Sequence, residues 1–118
     1  MENNANNIIE ILCLNLKPGT CMGFYKLYTE LSLPMLKRWN VDVLAYGPSH
    51  DKEDTFFVVR GYKDLADRRQ SQDAFYGSDE WKQGPRNVIL SFIESYSSVV
   101  VPANDKLIEG LRGIRLAK

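Results

Sequence analysis

The chain has 118 residues, short of the ~150 that sets the usual scale of one domain, so a single domain is expected and multidomain machinery is excluded. Lys plus Arg (15) balance Asp plus Glu (15) to a formal charge of zero, which removes the electrostatic footprint of a nucleic-acid or anionic-membrane binder. Hydrophobic residues at 44% suffice for a core and are too many for a disordered chain.

Residues 1–7 are Asn-rich, carry the acidic Glu2 and lack a basic n-region, so they read as a flexible N-terminus rather than a secretory signal. Ile8 to Leu16 is an apolar run closed by Lys17-Pro18-Gly19, a strand ending in a turn. From Thr20, placed as an N-cap, Phe24, Tyr28, Leu31 and Met35 recur at helical spacing to about Arg38. Pro34 lies inside that helix and should kink or split it. Val41 to Tyr46 and Thr55 to Tyr62 flank the polar segment 47–54 and form an antiparallel pair. Asp64 caps a helix from Leu65 to about Tyr76, Gly77-Ser78-Asp79 interrupts it, and a further helical stretch with Trp81, Val88, Ile89, Phe92 and Ile93 follows, bent near Gly84-Pro85. Tyr96 to Val101 is the last strand, and residues 103–118 are a tail carrying a short helix with Leu107, Ile108, Leu111 and Ile114.

The order β-α-β-β-α-β is the split βαβ arrangement of an α+β, ferredoxin-like domain over residues 8–102, with one sheet face covered by helices and the other left bare. Such an apolar face, holding Val99 to Val101, calls for a second copy of the chain, so a homodimer is expected. No apolar run approaches the ~18 residues of a membrane span. Cys13 and Cys21 do not make a disulfide framework, so reduced thiols and a cytoplasmic location are expected.

Three segments carry a family resemblance: Leu16-Lys17-Pro18-Gly19 after the first strand, Tyr62-Lys63-Asp64-Leu65-Ala66-Asp67-Arg68 at the end of the third, and Ser78-Asp79-Glu80-Trp81 in the second helical region. Together, over roughly Ile9 to Pro102, they resemble the NIPSNAP family. The resemblance implies a dimeric α+β barrel, two ferredoxin-like sheets packed face to face, in a superfamily that includes cofactor-free monooxygenases, isomerases and cyclases. Relatives often read Glu-Leu-Arg-x-Tyr in the first strand; here Glu10-Ile11-Leu12-Cys13-Leu14 puts Leu at both polar positions, which implies a greasier pocket or a different ligand where those positions contact ligand in relatives.

The candidate chemistry is sparse. His50 is the single histidine, so no His-cluster metal site can form, and neither metal nor cofactor is expected. It reads as a solvated loop residue or as a general base. Arg60 and Tyr62 share a strand face with Phe56 and Val58 and are the remaining catalytic candidates; Tyr46 shares a face with Asp42 and Leu44. Glu10, Asp42 and Arg60 are charges inside apolar strands, so they pair with one another or meet a polar ligand. Arg68 pairs with Asp64, ties helix to sheet or binds a ligand carboxylate; Trp81 packs in the core or lines a ligand pocket. The sequence thus points to a homodimer binding a small apolar or aromatic molecule, with catalysis of the cofactor-independent type as one reading and a non-catalytic binding module as the other.

Overall fold

The computed structural model describes residues 6–116. Strands β1 (Ile8–Leu16), β2 (Asp42–Pro48), β3 (Thr55–Tyr62) and β4 (Ile93–Pro102) form one antiparallel sheet in the order β2-β3-β1-β4. On one face lie α1 (Cys21–Leu27), α2 (Leu33–Arg38), α3 (Leu65–Tyr76), α4 (Asp79–Gln83) and α5 (Arg86–Phe92); a tail helix, α6 (Asp105–Leu116), follows β4. This is the α+β, ferredoxin-like arrangement expected from the order of elements.

Pro34 has the anticipated effect, in a specific form. Proline lacks the N–H that would bond the carbonyl four residues back, and the turn before it opens into a π-helical segment, Tyr28–Ser32, where the Leu33 N–H reaches the Tyr28 carbonyl. The helix continues without a break. The wide turn carries Tyr28 and Ser32, both buried, toward the sheet.

Helix α1 is not capped by Thr20. The Thr20 hydroxyl donates to the Lys17 carbonyl at 2.6 Å, and the helix start is instead held by Asp54, whose carboxylate accepts from the backbone N–H groups of Gly19, Thr20 and Cys21 at 2.9–3.2 Å. Sequence spacing cannot reveal a cap that arrives from the β2–β3 hairpin. Gly19 has φ +79 with no atom within 4 Å of where a Cβ would stand, so backbone conformation rather than space requires glycine here. Asp54 itself has φ 54. Asp54→Ala therefore removes three charge-assisted bonds and adds left-handed strain, and is expected to lower stability by about 2 kcal/mol, read by urea unfolding.

The matched segments 62–68 and 78–81 do structural work. Asp64 accepts from the Asp67 N–H at 2.7 Å and Asp67 accepts from the Lys63 N–H at 3.0 Å, a reciprocal cap on α3. Ser78 caps α4 by accepting from the Trp81 N–H, Glu80 accepts from Arg38 and from the Trp39 indole N–H, and Trp81 is buried against Phe75.

Three further expectations change. Strand β4 begins at Ile93, directly from the end of α5, so Ile93 belongs to the strand and not to the helical stripe. A β-bulge between Val43 and Ala45 breaks the alternation in β2. Leu44 and Ala45 both join the cluster on the far side of the sheet, while Tyr46 packs with the helices. Asp42, expected to share a face with Tyr46, is taken by Arg112 of α6 at 2.7 and 3.1 Å and by Asn6 at 2.8 Å. The far face is also not bare: α6 lies over it, with Ile108 buried against Ile9, Leu44, Ala45 and Val59 and Leu111 packed beside them. Ile11 and Val99 stay exposed on the part α6 leaves open.

Candidate functional site

Between the helices and the sheet the fold forms a partly open cavity of about 470 Å³. Its walls are apolar and aromatic, with Phe24 and Met35 from the long helix, Phe75 and Trp81 from α3 and α4, and Leu12 and Val58 from the sheet. At one end sit Glu10, Arg60, Arg68 and Gln72; Tyr96 and Ser98 of the edge strand β4 are exposed and line the cavity from the other side.

The polar end follows from register. Glu10 and Arg60 are directly opposed across β1 and β3, both are buried, and their charged atoms are 3.8 Å apart. The closer partner comes from α3. Arg68 donates to Glu10 Oε2 at 2.7 and 3.2 Å, and Gln72, one turn further along, reaches both Glu10 oxygens at 3.1 and 3.2 Å and the Tyr62 hydroxyl at 3.3 Å. One carboxylate thus gathers two guanidiniums and an amide, the arrangement that makes a buried charge tolerable. Arg68 ties helix to sheet, and its partner is Glu10 rather than the Asp64 side chain.

Arg60 is only partly satisfied. Its Nε is buried without a hydrogen-bond partner, and its Cζ lies 5.8 Å from the Tyr76 ring centroid. The Tyr28 hydroxyl is likewise buried and without a hydrogen-bond partner. Burial pushes the Tyr28 hydroxyl up to about 12, against the opposing pull of the nearby Arg60 charge; burial raises Tyr62 as well, again opposed by Arg60. Burial would lower the Arg60 guanidinium, but the surrounding tyrosines Tyr76, Tyr28 and Tyr62 outweigh it and hold it above its ordinary value. It stays charged.

These tyrosines give the fold an alkaline limit. A phenol whose folded pKa exceeds the unfolded 10.0 keeps its proton after the unfolded chain has released it. Its contribution is complete below pH 10 and is lost as pH rises toward 12. Chemical denaturation between those values is expected to show a loss on the order of 3 kcal/mol from Tyr28 alone, and Tyr28→Phe should remove that share of the slope.

The structure gathers Glu10, Arg60, Arg68 and Trp81 around the cavity, with Tyr62 buried beside it. Three candidates lie elsewhere. His50 is exposed on the β2–β3 hairpin and is not part of the cavity wall. Tyr46 lines a shallow surface groove with Tyr25 and Met22. Asp42 is held by α6. Sequence reasoning passed over Gln72, Tyr28 and Tyr76 as site residues. Gln72 stands four residues after Arg68 on α3, a spacing that puts both on one helix face toward the sheet. Among the described residues no group of three His, Cys, Asp or Glu side chains could hold a metal ion, and no helix is long and apolar enough to cross a membrane.

No family model matches the chain, and no curated protein matches it in sequence. Solved structures do match. A NIPSNAP family protein from Agrobacterium tumefaciens superimposes with TM-score 0.77 at 16% identity, over 89% of this chain and 92% of that one. A NIPSNAP-like domain protein from Burkholderia xenovorans gives 0.77 at 16% identity, over 86% and 89%. A candidate antibiotic biosynthesis monooxygenase from Nitrosomonas europaea gives 0.59 at 15% identity, over 81% and 97%. The fold on which this chain builds its cavity is therefore that of the NIPSNAP family proteins.

Proposed function

We propose that the protein is a homodimer that binds a small, largely aromatic molecule in the cavity between helices and sheet. The observation that carries this reading is the cavity itself: about 470 Å³ of space, bounded by aromatic side chains and closed at one end by a buried ionic cluster, has the size and mixed lining of a small-molecule site. Binding is favoured over turnover because Glu10, the acid-base group at the polar end, is engaged by Arg68, Gln72 and Arg60 at once, and His50 is not part of the cavity wall. The second reading is an enzyme of the cofactor-independent monooxygenase, isomerase or cyclase type, for which the monooxygenase-like fold neighbour is the support. The free thiols of Cys13 and Cys21 are compatible with a reducing, cytoplasmic setting.

The test is a calorimetric titration with 1-naphthalenemethanol. Saturable binding is expected for the wild type and its loss in Ser98→Trp, a substitution at an exposed lining position that fills the space. Binding unaffected by Ser98→Trp would place the probe elsewhere and refute the reading. For the dimer, the apolar surface around Ile11 and Val99 that α6 leaves open is the proposed contact. Val99→Asp is expected to shift the sedimentation coefficient from dimer to monomer, and a wild type already monomeric at micromolar concentration would refute it.

A further inference from the structure

The walls of the cavity do not balance in charge, and the imbalance describes the ligand. At the polar end two guanidiniums, Arg60 and Arg68, face the single carboxylate of Glu10. Arg68 takes Glu10 at hydrogen-bond distance, whereas Arg60 stands off at 3.8 Å. Two positive charges thus share one carboxylate, and Arg60 holds the longer and weaker part of it, a state that a second anion would complete. Two further observations mark where that anion would sit. Arg60 Nε, from the sheet, and the Tyr28 hydroxyl, from the helices, belong to side chains that line the same cavity, and both are buried without a hydrogen-bond partner; buried polar groups left this way call for an explanation. The two lie close enough for each charge state to influence the other.

We propose that the ligand is an aromatic monocarboxylate whose carboxylate lies between Arg60 and Tyr28, accepting from the guanidinium and from the phenol, with its ring among Phe24, Phe75 and Trp81. This rests on the cavity being a ligand site, as proposed above. The donors suit the role. A guanidinium presents its N–H groups in a plane that matches a carboxylate, and Tyr28 stays protonated at neutral pH because its hydroxyl is pushed up to about 12, so it donates. The anion would balance Arg60 as Glu10 balances Arg68. A neutral alcohol of the same size would fill the apolar part but offer one uncharged acceptor and leave the Arg60 charge unbalanced.

The experiment compares two probes that share a ring system, 1-naphthoate and 1-naphthalenemethanol, by calorimetric titration of the full chain at neutral pH. Naphthoate is expected to bind at least tenfold more tightly. Tyr28→Phe, which keeps the buried ring and its contacts with Phe24 and Phe56 and so should fold normally, is expected to weaken naphthoate three- to tenfold and naphthalenemethanol, whose hydroxyl carries no charge, by less. Equal affinities for the two probes would overturn the anion assignment while the cavity reading survives. An unaltered naphthoate affinity in Tyr28→Phe would overturn the placement of the carboxylate. If neither probe binds, or if Ser98→Trp leaves both unaffected, the cavity reading itself fails.

Discussion

Glu10→Ala should lose about 3–5 kcal/mol of stability, the largest loss expected from any single charged position, because it removes the carboxylate that Arg60, Arg68 and Gln72 share. The cost comes from what remains: a guanidinium only 6% exposed would face apolar strands and aromatic rings with no carboxylate beside it. Urea unfolding monitored by circular dichroism measures the change. The double variant Glu10→Leu with Arg60→Met removes both charges from the strand pair and is expected to recover most of the stability, since buried ion pairs can be replaced by apolar side chains of similar volume at little cost. A loss below about 1 kcal/mol in Glu10→Ala would mean that the cluster is hydrated and exerts no such hold.

The second large effect is expected from Phe24→Ala. Phe24 is inaccessible to solvent and its ring meets those of Phe56 at 5.0 Å, Phe92 at 5.8 Å and Tyr28 at 5.9 Å. Truncation removes burial and ring contacts together, typically about 3–5 kcal/mol. Because Phe24 also lines the cavity, the new void joins an existing one instead of closing on itself. The variant should therefore bind a larger aromatic probe such as 1-pyrenemethanol more tightly than the wild type does. Calorimetric melting and a comparison of probe sizes check the two halves of the prediction.

Most of the fold was legible because local signals agreed with tertiary context. Leu65 to Tyr76 is the helix expected, with Asp64 as its cap, since the cap and the first turn it closes lie within a few residues of each other. What escaped were features that depend on residues far apart in sequence. Asp54 caps a helix that begins 33 residues before it. Asp42 and Glu10 were legible as charges needing partners, but Arg112 and Arg68 are brought to them by helices 70 and 58 residues away along the chain. The bulge in β2 is a one-residue event that alternation cannot foresee, and it separated Tyr46 from Asp42. For the site, the strand face carrying Arg60 and Tyr62 could be read from a period of two. His50 drew attention as the sole histidine, a matter of residue type alone, and the hairpin carries it to solvent.

The wide turn ahead of Pro34 has a further consequence for how this sequence can change. A π-turn accommodates one residue more than an α-turn, so the segment Tyr28–Ser32 behaves as an insertion absorbed inside the helix. Deleting one of Thr29, Glu30 or Leu31 is therefore expected to close the wide turn into an ordinary α-turn and to leave Met35 and Leu36 facing the sheet they now contact. The same deletion in a regular stretch of helix would rotate everything beyond it by about 100°. The segment thus acts as a phase adjuster between two apolar stripes, and chains sharing this architecture are expected to differ there by one residue in length while keeping the buried positions that Tyr28 and Ser32 hold here.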